Sequence, residues 1–216
     1  MPSTQDVDRP EAARAVAEQY LRWERPVSAL VALLVALVFL GTFRITSLLP
    51  AVAVGAVLLF AVRAPIIRSR GTVRLRSDDD PETVVESFVG PTPPVLVFQW
   101  GIADEITARD GSVTYRISYL LGLRSVEMTV RAQTTALEDG GQQVELDVTA
   151  DDQPWSTYTV TISRQNEQTS IEYEYTANRR FGLRRIPQRV IADRYRDTAL
   201  EKQGYTVVER NEQYGI

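Results

Sequence analysis

The chain contains no cysteine and no histidine among its 216 residues. These absences exclude disulfide frameworks, zinc sites built from cysteine and histidine, and catalytic groups that depend on a histidine base. Lysine occurs once, at Lys202, and no Gly-Lys-Ser or Gly-Lys-Thr sequence is present, which excludes a phosphate-binding P-loop. We therefore expect no cofactor and no metal, and an enzyme is the function class with the least support.

Charge is scarce between residues 27 and 62, where Arg44 is the only charged residue. It separates two apolar runs, residues 27–43 and 45–62, and each approaches the length of about 20 residues that crosses a bilayer. Neither run has the polar stripe of a soluble helix. The charged segment before the first run is unlike a signal peptide. The pattern predicts a transmembrane helical hairpin over residues 26–67.

Arginines flank this predicted hairpin on one side of the membrane. Only Arg44 lies in the connecting turn, whereas six arginines lie outside the two runs: Arg14, Arg22, Arg25, Arg63, Arg68 and Arg70. Positive residues favour the cytoplasmic side. The pattern predicts a two-span protein of the cell membrane with both termini in the cytoplasm, and residues 1–25 are predicted to form an N-terminal amphipathic helical segment.

Alternating apolar and polar residues begin after Gly71 and predict a mainly β domain over residues 71–210. Asp80, followed by Pro81 and Glu82, predicts a helix start, because aspartate caps free amides and proline suits the first turn. The aspartates at 78–80 fit this cap better than a metal site. Six strands are predicted around residues 73–75, 113–121, 126–132, 144–148, 158–162 and 171–175.

Two further segments complete the prediction for this domain. Residues 95–108 form either a strand that breaks near Gly101 or a short helix followed by a strand. Residues 184–203 form the last helix, which Gly204 ends, with a short extended piece at 205–209 and a tail at 211–216. Because the links between strands are short, we expect an antiparallel meander with one buried face.

This order of elements resembles the START/polyketide-cyclase-like (SRPBCC, helix-grip) superfamily over residues 71–209. The most specific points are Val73-Arg74-Leu75 before Asp80-Pro81-Glu82, and the closing stretch from Arg194 to Glu201. The resemblance implies an α+β fold in which a curved antiparallel sheet wraps the C-terminal helix and leaves a cavity for lipids or other apolar molecules. The alternative fold is a small antiparallel barrel or sandwich with a docked helix.

Alternating positions place several large side chains on one face of the predicted sheet. Tyrosine hydroxyls among apolar neighbours suit a cavity for a mostly hydrophobic molecule, although the same residues would also fill a core. The candidates for the ligand pocket are Phe98, Trp100, Tyr115, Tyr119, Met128, Tyr158 and Tyr173. Tyr175 lies on the same face, and a carboxylate at Tyr119 is expected to destabilise the domain severely.

The segment before and within the last helix is rich in arginine. Arg184, Arg185 and Arg189 are candidates for contact with anionic lipid headgroups, and the alternative is pairing with the domain's own acids, as in Arg189 and Asp193. The apolar stripe of this helix, with Tyr195 and Ala199, places Arg196 on the opposite side. No nucleic acid is expected as a partner, because the domain is acidic overall and no aromatic platform accompanies the arginines.

Three functional hypotheses follow from these patterns. The first is a membrane-tethered, non-enzymatic binding module for lipid or another apolar small molecule at the cytoplasmic face, with membrane lipids as partners. The second is an interaction or assembly protein with a filled core and a membrane-protein partner. The third is an enzyme similar to a cyclase or hydratase.

Overall fold

The computed structural model of the chain describes residues 7, 9–65, 68–109, 111–119, 122–138, 140–180, 182 and 186–215. It begins with two helices, α1 (Glu11–Ile45) and α2 (Leu48–Arg63), followed by β1 (Arg68–Ser77) and α3 (Pro81–Val89). A 3₁₀ turn (Pro94–Leu96) leads into the short α4 (Val97–Trp100). The remaining elements are β2 (Glu105–Arg109), β3 (Ser112–Tyr119), β4 (Arg124–Ala136), β5 (Gln142–Ala150), β6 (Gln153–Gln165), β7 (Gln168–Ala177), α5 (Ile186–Glu201) and β8 (Tyr205–Gly215).

Local signals in the sequence explain where the short helices begin. The Asp80 carboxylate accepts a hydrogen bond of 3.0 Å from the backbone N–H of Thr83, and α3 ends at Gly90 as predicted. This hydrogen bond, which favours the ionised form, lowers the pKa of Asp80. Of the two alternatives for residues 95–108, the short helix followed by a strand is correct.

All eight strands form one antiparallel sheet in the order β2-β3-β4-β5-β6-β7-β1-β8. The predicted α+β class and the meander from β2 to β7 are therefore confirmed. Among the described residues the strands form a single sheet whose edges, β2 and β8, do not pair with each other, unlike the alternative prediction of a small antiparallel barrel or sandwich. The predicted C-terminal tail is wrong over residues 211–215, because β8 extends to Gly215 and pairs with β1.

One face of the sheet is buried and the other is exposed. Buried positions alternate along the strands, as Val144, Leu146 and Val148 do in β5, and they join a core that also includes Phe88 of α3 and Leu200 of α5. Across the exposed face Arg74 pairs with Glu172 at 2.8 Å and with Glu209 at 3.1 Å. The helices that contribute to the core therefore cover the same face of the sheet.

The structure contradicts the predicted membrane hairpin and, with it, the predicted location in the cell membrane. No helix in the described part of the chain is long and apolar enough to span a bilayer. The first apolar run belongs to α1, whose earlier turns carry Arg14 and Glu18 and pack Ala13 and Ala17 into the protein. The second run is interrupted near Ser47, which leaves only 16 residues for α2.

The end of α1 and the whole of α2 nevertheless expose many large apolar side chains. The two helices contact each other, and Gly55 of α2 approaches the ring of Phe39 so closely that an added Cβ would lie 3.0 Å from its Cδ2. Side chains on both helices that remain exposed include Leu34, Leu37, Phe43, Leu49, Val57 and Phe60.

Candidate functional site

Three of the predicted pocket residues fill the core instead of facing an open space. Trp100 is fully buried, and its indole N–H donates to the carbonyl of Pro93 at 2.9 Å. Tyr115 is also fully buried, and its hydroxyl donates to the carbonyl of Pro91 at 3.0 Å. Met128 is 5% exposed in β4, opposite Tyr115. The Tyr115 hydrogen bond attaches the segment at Pro91 to the sheet, and the Trp100 hydrogen bond holds that segment together, so both residues have structural roles.

Tyr119 is not buried. It lies at the end of β3 on the same face as Tyr115, but 44% of its surface is exposed. The expectation that it belongs to the interior is therefore wrong, because the strand continues beyond the area that the helices cover.

The other predicted tyrosines come together in the middle of the sheet. Tyr158 of β6 lies opposite Tyr175 of β7 with ring centroids 6.1 Å apart, and Tyr173 is two residues away on the same face. Gly71 of β1 faces Tyr175, and an added Cβ would lie only 2.8 Å from its ring. The glycine thus leaves the space that the Tyr175 ring occupies.

Arg196 of α5 lies near these three tyrosines. Its Nη1 donates to the Asp193 carboxylate at 3.3 Å, and its guanidinium carbon is 5.9 Å from the centre of the Phe98 ring. Burial acts to lower the pKa of Arg196, but the nearby tyrosines and Asp193 raise it overall, so the side chain keeps its charge. We call Tyr158, Tyr173, Tyr175 and Arg196, together with Arg210 of β8, the tyrosine–arginine cluster.

Arg210 enters the cluster from β8, where it lies opposite Val73. The side chain is 15% exposed and pairs with Asp197 of α5 and, at 2.8 Å, with Glu212. Burial acts to lower its pKa, but Tyr173 and the two carboxylates raise it overall. Its Nε is buried and has no hydrogen-bond partner within the described ranges.

Burial raises the pKa of Tyr173 well above its ordinary value, although Arg210 and Arg196 act in the opposite direction. Tyr173 therefore remains a neutral phenol at physiological pH. A neutral phenol donates a hydrogen bond more readily than it accepts a proton, so this residue suits binding better than acid–base chemistry.

Phe98, the remaining pocket candidate, forms one wall beside the cluster. Tyr20 of α1 stacks on its ring with centroids 4.7 Å apart, and Tyr20 also lies 6.0 Å from the ring of Tyr195 on α5. Phe98 thus has α1 on one side and Arg196 on another. Tyr20 belongs to residues 1–25, which were predicted to form an amphipathic segment beside the membrane hairpin, and it packs against Phe98 instead.

Two residues of β6 extend the site beyond Tyr158. Ser156 is 5% exposed on the same face, and its hydroxyl has no partner in the part of the chain that the structure describes. Trp155 is half-buried, with the guanidinium of Arg179 5.3 Å from its ring centre. The Ser156 hydroxyl and the Arg179 guanidinium therefore add polar groups near the beginning of β6.

The sequence pattern did not place Arg196 at the candidate site. It assigned Tyr195 to the apolar stripe of the last helix, and this put Arg196 on the opposite side. The buried residues of α5 include Ala192, Ala199 and Leu200, and Arg196 lies at helical spacing between them. The sequence signal that could have revealed this position is an arginine at helical spacing between apolar residues.

The predicted headgroup contacts lie mostly outside the described residues. Arg184 and Arg185 belong to the segment that is not described, and only the backbone of Arg189 is described, within α5. Contact of these arginines with lipid headgroups stays a prediction.

A second candidate site is an open cleft of about 780 Å³ between the start of α1 and residues 101–104. Both arginines that line it bond within the protein, since Arg14 pairs with Glu18 at 3.0 Å and Arg9 donates to the carbonyl of Ala103 at 2.7 Å. Within the described ranges no cluster of three or more acidic residues could hold a metal ion. The tyrosine–arginine cluster, with its unmade hydrogen bonds, is therefore the better candidate.

Comparison with known proteins identifies solved structures of similar chain course. A protein of Rhizobium loti is 19% identical and matches over 64% of this chain and 96% of its own, with a TM-score of 0.40. A conserved protein of Geobacillus kaustophilus is 11% identical over 67% of this chain and 99% of its own, with a TM-score of 0.41. A START superfamily protein of Mycobacterium smegmatis is 11% identical over 63% and 97%, with a TM-score of 0.41.

No protein-family model matches the sequence, and neither does any protein of curated function. The membrane anchor that we added to the family resemblance is wrong, because no helix in the described part of the chain is long and apolar enough to span a bilayer. With TM-scores of about 0.4, these structural likenesses carry no argument about the family or the function of this chain.

Proposed function

We propose that this protein is a non-enzymatic binding module that holds an apolar small molecule between α5 and the buried face of the sheet. In this proposal the sheet curves round α5 in the helix-grip arrangement, and the tyrosine–arginine cluster lines the bound molecule. The proposal concerns a site within the β domain and does not depend on where in the cell the protein resides.

The observation that carries the proposal is the state of Arg196. This charged residue of α5 lies near the three tyrosines, its guanidinium carbon is 5.9 Å from the centre of the Phe98 ring, and 31% of its side-chain surface is accessible. An accessible arginine beside an aromatic surface offers a polar contact to a molecule that is otherwise apolar. Phe98, which is partly buried beside Arg196, supplies apolar surface for such a ligand.

Native mass spectrometry of the full chain tests this proposal. We expect one apolar molecule per chain, either co-purified or added as ethylnaphthalene, and a Ser156→Phe variant should lose it because the new ring enters the space beside Tyr158. Thr157→Phe is the matched control, since Thr157 lies on the other face and donates to Asp147 at 3.1 Å.

Circular dichroism must show that both variants remain folded. Binding that is equal in the wild type and both variants would place the molecule elsewhere, for example on the exposed apolar side chains of α1 and α2. Absence of any binding to the wild type would contradict the proposed function.

A further inference from the structure

The last strand, β8, is an edge of the sheet, and one side of its backbone faces no other strand in the described part of the chain. It stands beyond β1 in the strand order and packs against β1 and α5. An added Cβ at Gly71 would lie 3.0 Å from the carbonyl oxygen of Asn211, so this carbonyl points towards β1. Because neighbouring residues of a strand direct their N–H and C=O groups to opposite sides, those of Arg210 and Glu212 point away from β1. These backbone groups are a template for a further strand.

The side chains of β8 restrict which strand pairs with this edge. Glu209, Asn211 and Gln213 are exposed on the outer face of the sheet, whereas Arg210 and Glu212 lie on the other face. A second copy of β8, antiparallel about a two-fold axis at Asn211, has its Glu212 opposite Arg210 of the first copy and its Arg210 opposite Glu212. Glu209 of each copy then lies opposite the neutral Gln213. Opposite charges that face each other across two strands stabilise the pairing.

The neighbouring registers are unfavourable. An axis at Arg210 would place the two copies of Arg210 opposite each other, and an axis at Glu212 or Glu209 would do the same with two carboxylates. Like charges directly opposite each other destabilise a strand pair. The charges that protect this edge from pairing in other registers are therefore complementary when the axis lies at Asn211.

We propose that two copies of this chain associate through β8, antiparallel about a two-fold axis at Asn211, so that the sheet continues from one copy into the other. The N–H and C=O groups of Arg210 in each copy form hydrogen bonds with those of Glu212 in the other. The paired residues 209–213 form a contact smaller than the about 800 Å² per partner of a standard interface, so we expect a weak, reversible dimer. The dimer does not depend on the proposed ligand.

Sedimentation of the full chain over a range of concentrations tests this proposal. A non-ionic detergent is present throughout, because it covers the exposed apolar side chains of α1 and α2 but does not replace hydrogen bonds between strands. We expect the wild type to show an equilibrium between monomer and dimer. Asn211→Lys and Asn211→Asp each bring two like charges together at the axis, so each should weaken dimerisation by about fivefold.

An equimolar mixture of these two variants tests the position of the axis. It should dimerise more strongly than either variant alone, because the new ammonium group of one copy lies opposite the new carboxylate of the other. Gln133→Lys is the matched control, since Gln133 is exposed in β4 on the same face of the sheet and away from β8. It should dimerise like the wild type, and circular dichroism must show that all variants are folded.

The other outcomes overturn the proposal. A wild-type chain that stays monomeric at every concentration does not pair through β8. A dimer that both Asn211 variants leave unchanged uses another surface. Weaker dimerisation of both variants without recovery in the mixture means that the axis does not lie at Asn211.

A further variant decides the question if an Asn211 variant does not fold. Gln213→Glu keeps an acceptor for the Nε of Arg70, which donates to the Gln213 side chain at 3.2 Å. The new carboxylate lies opposite Glu209 of the second copy, so this variant should weaken dimerisation by about threefold or more. Dimerisation equal to that of the wild type would overturn the proposal.

Discussion

Tyr115 and Tyr173 are both buried on the same face of the sheet, yet their hydroxyls have different surroundings. The Tyr115 hydroxyl donates to the Pro91 carbonyl at 3.0 Å, so its polar atom is satisfied within the protein. The Tyr173 hydroxyl forms no hydrogen bond among the described residues and lies near Arg196 and Arg210. A tyrosine whose hydroxyl bonds to the protein belongs to the core, whereas one whose hydroxyl has no such bond is a candidate for ligand binding.

Tyr119→Asp tests the difference between these positions of β3. Because Tyr119 is 44% exposed and lies opposite Arg124, we expect the substitution to change the free energy of unfolding by less than about 0.5 kcal/mol. Tyr115→Asp places a carboxylate at a fully buried position and should cost more than about 4 kcal/mol. Chemical denaturation measures both values, and a severe effect at Tyr119 would mean that it is covered.

At the scale of elements, α1 is the main departure from the expected organisation. It is a single helix of 35 residues, and its first turns pack against α4 and α5 instead of forming a separate segment. The close approach depends on Gly101, because a Cβ at this position would lie 2.9 Å from the Cβ of Ala17 and 2.5 Å from the Val97 carbonyl oxygen. Tyr20 then reaches Phe98.

Gly101→Ala should therefore loosen the contact between α1 and α4. We expect a loss of about 1–3 kcal/mol in the free energy of unfolding, the usual cost of overpacking. Gly41→Ala is the matched control within α1, where an added Cβ meets no atom within 4 Å, and it should stabilise the helix by up to about 1 kcal/mol. Thermal unfolding followed by circular dichroism measures both, and equal effects would contradict the close packing.

At the scale of the whole molecule, β8 joins the end of the chain to its middle. It pairs with β1 from Tyr205 to Gly215 and brings Arg210 and Glu212 to α5, where Arg210 meets Asp197. Without β8 the chain would lose this ion-paired group, and β1 would become an exposed edge strand.

Removal of residues 206–216 should lower the free energy of unfolding by about 3–5 kcal/mol or more, because Asp197 loses its buried partner together with a paired strand. Sedimentation should also show association through the new edge. Val208→Ser is the control, since Val208 is 48% exposed where the pairing with β1 shifts by a residue. A truncated chain that unfolds like the wild type would show that β8 is dispensable.

The local structure of the β domain follows from the sequence alone. The cap at Asp80, the stop at Gly204 and the alternation in β5 involve residues that are neighbours along the chain, so their patterns are visible without a fold. The candidate tyrosines Tyr158 and Tyr173 were also visible, because alternation assigns them to the buried face. The exposure of Tyr119 was not predictable in this way, because alternation shows which face of the strand a side chain lies on but not how far the helices cover that face.

Only the tertiary structure decided which segments meet at the site. Arg196 of α5, Arg210 of β8 and Tyr158 of β6 come from distant parts of the chain, and no local pattern records their approach. The same holds for α1. Its apolar run indicated a helical hairpin, but nothing in the sequence showed that the earlier turns of this helix pack beside Phe98. Hydropathy and periodicity describe one segment at a time, whereas burial and pairing depend on contacts between segments, which form only when the chain folds.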